Sequence, residues 1–243
     1  MNRTTYFGEG LFESIRWIGE SPKLELHYRR LKSSAEFFGI PCPSYEEFLE
    51  FIKTAVGGDS NLYVKFLLMS SGSGYYADYP EDYEVRVLVK ALPQPPAEVS
   101  LVLSDLRRHS LNPLFRHKTT SYMFSVLVKR EANARGFFDG VVLNEKEEVT
   151  ECSASNLILL KGDRLFTPTR ESGLLWGTTL DYILANGVNL EERVIKLRDL
   201  EEADTLFITN SLMGVVPVRR FGDTEYRTYE DVLEELRRAA GVV

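Results

Sequence analysis

One proline cluster, Pro93-Gln94-Pro95-Pro96, interrupts the chain. Proline fixes φ and lacks a backbone donor, so neither a helix nor a central strand can run through such a cluster. It predicts a break between a smaller α/β domain, residues 1–93, and a larger one, residues 98–243, with 94–97 as linker. Each part is long enough to bury a core of its own. The expected class is α/β of the α+β type, in two domains.

Hydrophobic periodicity fills in both parts. Gly8-Glu9-Gly10 reads as a turn feeding a strand over 11–18, in which Glu13 shares a face with Leu11 and Ile15 and so breaks the alternation. The spacing of Leu24, Leu31, Ala35 and Phe38 predicts a helix over 25–38, stopped by Gly39 and Pro41. His27, Arg30 and Ser34 fall on a second, polar face of it. Ser44 with Glu47 forms a capping box for a helix over 45–56. Two strands follow, 61–70 and 83–92, joined through Gly72-Ser73-Gly74-Tyr75-Tyr76-Ala77. The letters of that joint match a dinucleotide fingerprint, but no helix follows it, so it reads as a flexible loop. In the second part a strand over 99–103 leads into a basic loop, Arg107-Arg108-His109, and a proline-broken segment, 111–115. A helix over 121–135, a meander of strands (140–144, 148–151, 156–160, 164–167) and a helix over 177–186 come next. Strands over 204–209 and 215–220 and a closing amphipathic helix, 229–240, complete the reading.

Composition narrows the functional classes. A net charge of −7 argues against nucleic-acid or anionic-membrane partners. No apolar run approaches the ~18 residues of a membrane span. The first six residues carry no secretory hydrophobic block, and Cys42 and Cys152 form no paired motif, which together predict a reduced, cytoplasmic setting. Three histidines (His27, His109, His117) and two distant cysteines supply no metal-ligand spacing, so no metal is expected. The nucleophile elbow of a serine hydrolase is absent.

What remains is a lysine, a carboxylate and groups suited to phosphate. Lys118 stands at a loop-to-helix junction, where an amine can point into a cleft, although a lone lysine is far more often an exposed one. Gly177-Thr178-Thr179 offers backbone N–H groups and hydroxyls at a helix N-terminus. Asn210-Ser211 closes a strand with two more small donors; each of these alone is more often a simple cap or turn. Together they match the needs of pyridoxal phosphate (PLP): a lysine for the covalent link, an acid for the pyridine nitrogen, and donors for the phosphate.

Five separated blocks, in order, resemble the class IV (fold-type IV) PLP-dependent aminotransferase and lyase family. They are Gly-Glu-Gly-Leu-Phe-Glu (8–13) with the His27-x-x-Arg30 helix, His117-Lys118-Thr119-Thr120, the run 149–157, the run 173–177 with Thr167-Pro168, and 210–218. The resemblance implies a D-amino-acid-aminotransferase-like fold with the cofactor in the interdomain cleft, and a homodimer. It implies Lys118 as the cofactor lysine, carried by the larger domain, Glu151 as the partner of the pyridine nitrogen, and Arg30, Thr178, Thr179, Asn210 and Ser211 as phosphate ligands. Tyr122 matches either a ring-contacting tyrosine or a core aromatic. Arg107 and Arg108, on the loop before Lys118, suit the carboxylates of an anionic substrate. Two departures stand out: only seven residues precede the first block, where relatives carry a strand and turn, and Leu180 replaces an arginine common after the second phosphate ligand.

Within the family, the runs Thr-Glu-Cys-Ser-Ala-Ser-Asn-Leu and Asn-Ser-Leu-Met-Gly resemble aminodeoxychorismate lyases more than branched-chain or D-amino-acid aminotransferases. The resemblance implies conversion of 4-amino-4-deoxychorismate, a small anionic amine, to p-aminobenzoate and pyruvate in folate biosynthesis. An aminotransferase on the same scaffold is the alternative, and a cofactor-free binding protein a third.

Overall fold

The computed structural model describes residues 1–241, which form two compact units. The first is Met1–Pro93 together with His117–Tyr122; the second is Gln94–Arg116 and the chain from Met123 onward. The lysine segment, expected in the larger domain, thus belongs to the first unit. The reason is backbone pairing: Lys118 O accepts from Phe12 N–H at 3.0 Å, Thr120 N–H donates to Gly10 O at 2.8 Å, and Thr119 bridges Leu11. Residues 117–120 meet β1 through an isolated bridge at Thr119, and the helix behind them starts at Met123 rather than at Ser121.

The first unit contains α1 (Arg3–Phe7), β1 (Gly10–Trp17), α2 (Pro22–Phe38), α3 (Tyr45–Val56), β2 (Leu62–Ser71) and β3 (Asp82–Ala91). The three strands make an antiparallel sheet in the order β1-β2-β3. Leu11, Ile15, Trp17, Val64, Phe66 and Leu68 pack from one face of it against Leu24, Leu31, Ala35, Phe48 and Ile52 of α2 and α3. The predicted capping box of Ser44 and Glu47 is present. The short start forms α1, which the sequence reading lacked. Arg3, 1% exposed, donates to Glu9 Oε2 and to the carbonyls of Ser73, Tyr75, Tyr76 and Asp78. The joint expected to be a flexible loop is therefore wrapped around a buried guanidinium.

The second unit contains β4 (Val99–Arg108), α4 (Met123–Ala134), β5 (Asp139–Asn144), β6 (Val149–Cys152), β7 (Asn156–Lys161), β8 (Arg164–Pro168) and α5 (Thr178–Ala185). After these come β9 (Leu190–Arg193), α6 (Leu197–Glu201), β10 (Thr205–Asn210), β11 (Gly214–Phe221), β12 (Thr224–Glu225) and α7 (Glu230–Ala239). One mixed sheet runs β6-β5-β4-β11-β10-β7-β8-β9, with β12 beside β11. Val149 N–H donates to Ile195 O, and Glu148 bridges Lys196, so the two ends of this path approach each other and the sheet is curled. Its inner face is filled by Leu101, Val141, Leu143, Leu157, Leu159, Leu206, Ile208 and Val216. Its other face carries Ile158, Leu160, Phe207 and Val215 against Leu180, Ile183, Leu233 and Leu236 of α5 and α7. The strand expected to end at residue 103 continues to Arg108, because β5 goes on pairing with it as far as Arg107 and Arg108, beyond the reach of β11, which pairs only with residues 99–101.

Candidate active site

The first unit presents the lysine. Gly8, at φ +69°, and Gly10 let residues 117–121 lie against the start of β1, since a Cβ on Gly8 would stand 2.3 Å from Ser121 Oγ. Thr120 Oγ1 and Ser121 Oγ both donate to Gly8 O. On the α2 side, His117 stacks on Phe37 at 4.5 Å and meets Ser34 Oγ at 2.9 Å. The Lys118 backbone is thereby held from both sides, and its Nζ lies 4.5 Å from the centroid of Phe12 and 5.8 Å from that of Tyr122. Tyr122 meets Phe12 edge-on at 5.2 Å. Both aromatic rings thus border the amine.

Beneath this lies a buried ionic group that the sequence signalled only as broken alternation. Glu13 is fully buried. Its carboxylate accepts from Arg30 Nε at 2.8 Å and Arg30 Nη2 at 2.6 Å, and meets His27 Nδ1 at 2.7 Å. Burial by itself raises the Glu13 pKa, but Arg30 and His27 together outweigh it and bring it down to about 2. The His27 pKa is lowered, by burial first and also by the Arg30 and Lys118 charges, against the opposing pull of Glu13. Arg30, expected as a phosphate ligand, has two of its nitrogens on Glu13. A fork fixed in this way is pre-aimed, because its remaining N–H directions follow from the plane.

The second unit presents the acid and the anion donors. Glu151, 8% exposed, ends β6. Its Oε1 accepts from Arg108 Nη1 at 2.5 Å and Leu175 N–H at 2.9 Å, and its Oε2 from Asn156 Nδ2 at 3.2 Å. Three donors around one carboxylate favour its charged form. Arg108 corrects an expectation: it is buried, not a loop cation awaiting a substrate carboxylate. It sits over Phe115 and Phe124 at 4.7 and 5.5 Å, and it is committed to Glu151. Arg107 is strand-borne as well, donating to Ser104 O at 2.6 Å with its Nε 3.9 Å from Glu147. Neither the Arg108–Glu151 pair nor the bracing by Asn156 and Leu175 was predicted. Leu175 acts through its backbone, which no side-chain pattern reports.

Thr178 and Thr179 open α5 after Gly177 and are 5% and 3% exposed. Gly177 is required there, since a Cβ would stand 2.2 Å from Asn156 Oδ1. Asn210 and Ser211 lie at the β10–β11 turn. The Asn210 side chain is occupied locally: Oδ1 accepts from Leu212 and Met213 N–H, and Nδ2 donates to Ala154 O and Ser155 Oγ. It therefore shapes the turn rather than offering a spare amide. Thr209 pairs with Val215, whose side chain packs on the α5 face, and Thr209 Oγ1 is buried with no hydrogen-bond partner. A helix N-terminus with buried threonines, next to a strand end with an orphaned hydroxyl, is a donor-rich setting that fits a phosphate dianion. Leu180, in place of the family's arginine, is fully buried in the α5–α7 core. Among the described residues no cluster of three or more His, Cys, Asp or Glu could hold a metal ion.

Each unit thus holds groups of the kind that PLP enzymes use: a lysine over aromatic rings in the first, a braced carboxylate and an anion cup in the second. The model of the amino-transferase class IV family matches residues 10–221. The chain belongs to that family, whose members are PLP enzymes. It is 32% identical to a probable branched-chain-amino-acid aminotransferase of Thermotoga maritima, over 89% of this chain and 78% of that one. It is 26% identical to an aminodeoxychorismate lyase of Vibrio harveyi, over 99% of this chain and 93% of that one. Among solved structures, a protein assigned as a 4-amino-4-deoxychorismate lyase from Legionella pneumophila superposes with a TM-score of 0.93 at 26% identity, covering 99% and 92% of the two chains.

Proposed function

We propose that this enzyme is a PLP-dependent lyase converting 4-amino-4-deoxychorismate to p-aminobenzoate and pyruvate. The observation that carries the reading is the end-to-end match to the two proteins assigned as lyases, 93% and 92% of whose length the chain spans. Against the Thermotoga aminotransferase the span is 78%. The second reading is a branched-chain or D-amino-acid aminotransferase, favoured by the higher identity to that same protein, 32%.

When bound, PLP supplies an aldehyde that bonds to an amine and a pyridine ring that draws electrons from the carbon whose bonds break. The chain's own residues do the rest. Lys118 is the residue whose amine would hold the cofactor covalently. Its freed amine, kept beside Phe12 and Tyr122, then removes the proton from the substrate carbon that bears nitrogen. Glu151, held ionised by Arg108, Asn156 and the Leu175 N–H, keeps a proton on the pyridine nitrogen. Arg30, aimed by Glu13, joins Thr178, Thr179, Ser211 and the turn shaped by Asn210 in binding the phosphate. In the lyase reading, loss of the enolpyruvyl group would make the substrate ring aromatic, and Lys118 would again be the residue holding the cofactor, so no keto acid would be consumed.

Among the described residues no helix is long and apolar enough to cross a membrane. A cytoplasmic homodimer without nucleic-acid partners completes the proposal. Its test is sustained p-aminobenzoate formation from aminodeoxychorismate with no keto acid present. A half-reaction with leucine, glutamate or D-alanine at a turnover rate (~1 s⁻¹ or faster), with aminodeoxychorismate inert, would instead establish the aminotransferase.

A further inference from the structure

Lys118 is not alone on its side of the first sheet. Lys65 of β2 also places its Nζ over the Phe12 ring, again 4.5 Å from the centroid. Two ammonium groups that each stand 4.5 Å from one point are at most about 9 Å apart. The register explains the placement. Phe12 pairs with Leu67 and Ser14 with Lys65, so Phe12 and Lys65 are diagonal neighbours on one face, opposite the face that packs on α2 and α3.

The rest of that face is basic. Arg16 lies opposite Tyr63, Arg86 opposite Leu67 and Lys90 opposite Tyr63, while the acids Glu84 and Asp82 are confined to the far end, opposite Met69 and Ser71. Lys65 is half-buried and makes no ion pair among the described residues. A half-buried ammonium without an ion pair among the described residues is a ready partner for an anion.

We propose that Lys65 binds a carboxylate of the substrate and so selects anionic amines in which that carboxylate stands away from the reacting nitrogen. An N–H···O contact of about 2.8 Å from Lys65 leaves at most about 6 Å from that carboxylate oxygen to Lys118 Nζ, so the atom on which Lys118 acts lies closer still. That span suits a carboxylate several bonds from the amine, as in a cyclic amino dicarboxylate, and the Phe12 ring between them offers an apolar floor for the connecting carbons. The inference deepens the proposed reaction and rests on its assignment of Lys118.

The test uses cofactor-loaded enzyme and chorismate as a non-reacting probe, since it keeps both carboxylates and has a hydroxyl in place of the amine. Lys65→Met should weaken chorismate binding, measured by calorimetry, roughly tenfold or more, while Lys65→Arg stays within about threefold of wild type. The visible absorbance of the loaded enzyme and the melting temperature should be the same in all three. Wild-type affinity in Lys65→Met, or an equal loss in both variants together with a lowered melting temperature, overturns the proposal. Failure of the lyase reading shows differently. There, wild type forms no p-aminobenzoate, yet Lys65→Met still raises KM for glutamate and leaves KM for leucine unchanged.

Discussion

Three residues are central to the proposed chemistry and its support. Lys118→Ala is expected to remove both turnover and the covalent link to the cofactor. Borohydride reduction of wild-type enzyme followed by peptide mapping should label Lys118, and a label on another lysine would refute its role. Glu151→Gln keeps the shape of the acid but not its charge, and an amide cannot hold the proton on the pyridine nitrogen. The loss of rate should reach ~2.7–4 kcal/mol, as for deletion of one preorganised electrostatic group, with the cofactor still bound. Single-turnover proton release at the wild-type rate would remove Glu151 from this role. Glu13 acts on stability. Glu13→Gln leaves Arg30 partly buried without its counter-charge, which typically costs about 3–5 kcal/mol. The folded-state pKa of Glu13, about 2, lies below its ordinary 4.5. Its contribution is therefore complete above pH 4.5 and is lost as pH falls towards 2. Denaturation series across that range should show a shallower acid loss in Glu13→Gln than in wild type.

At the scale of elements, the segment from Gly173 to α5 ties the acid to the anion cup. Asn156 donates to Glu151 and to Leu175 O, and its Oδ1 occupies the space beside Gly177. Gly177→Ala should push Asn156 aside, and with it the brace on Glu151. The expected outcome is weaker cofactor binding by roughly tenfold with an altered absorbance of the bound cofactor, read by titrating apoenzyme with PLP. An unchanged affinity and spectrum would mean that Asn156 yields without consequence. Much of this scale was legible in the sequence. The α2 and α3 helices, the β2–β3 pair and the meander follow from periodicity and caps, because each is decided by neighbours close in the chain. The pairing of the lysine segment was not legible. Residues 117–120 pair with β1, more than a hundred residues upstream, and no local pattern reports such a partner. Arg107 and Arg108 read as loop cations because their charge broke the apolar run of β4. Only pairing with β5, and the buried acid waiting in Glu151, make strand residues of them. Glu13 was visible as an anomaly, and its meaning appears only once α2 brings His27 and Arg30 beside it.

For the whole molecule, the candidate residues are shared out. Arg30, Lys118 and Tyr122 belong to the first unit, and Glu151, Thr178, Thr179, Asn210 and Ser211 to the second. The lysine, the acid and the anion donors serve a lyase and an aminotransferase alike, and the fate of the cofactor after one reaction separates the two. An aminotransferase ends its first half-reaction with the amino group on the cofactor and waits for a keto acid. A lyase returns with its cofactor unchanged. The most direct measurement is therefore the time course of p-aminobenzoate from excess aminodeoxychorismate on dialysed, PLP-loaded enzyme without any keto acid. The account predicts many turnovers per active site, with pyruvate formed in equal amount. A time course without p-aminobenzoate, alongside rapid amino transfer from leucine, glutamate or D-alanine, would contradict it.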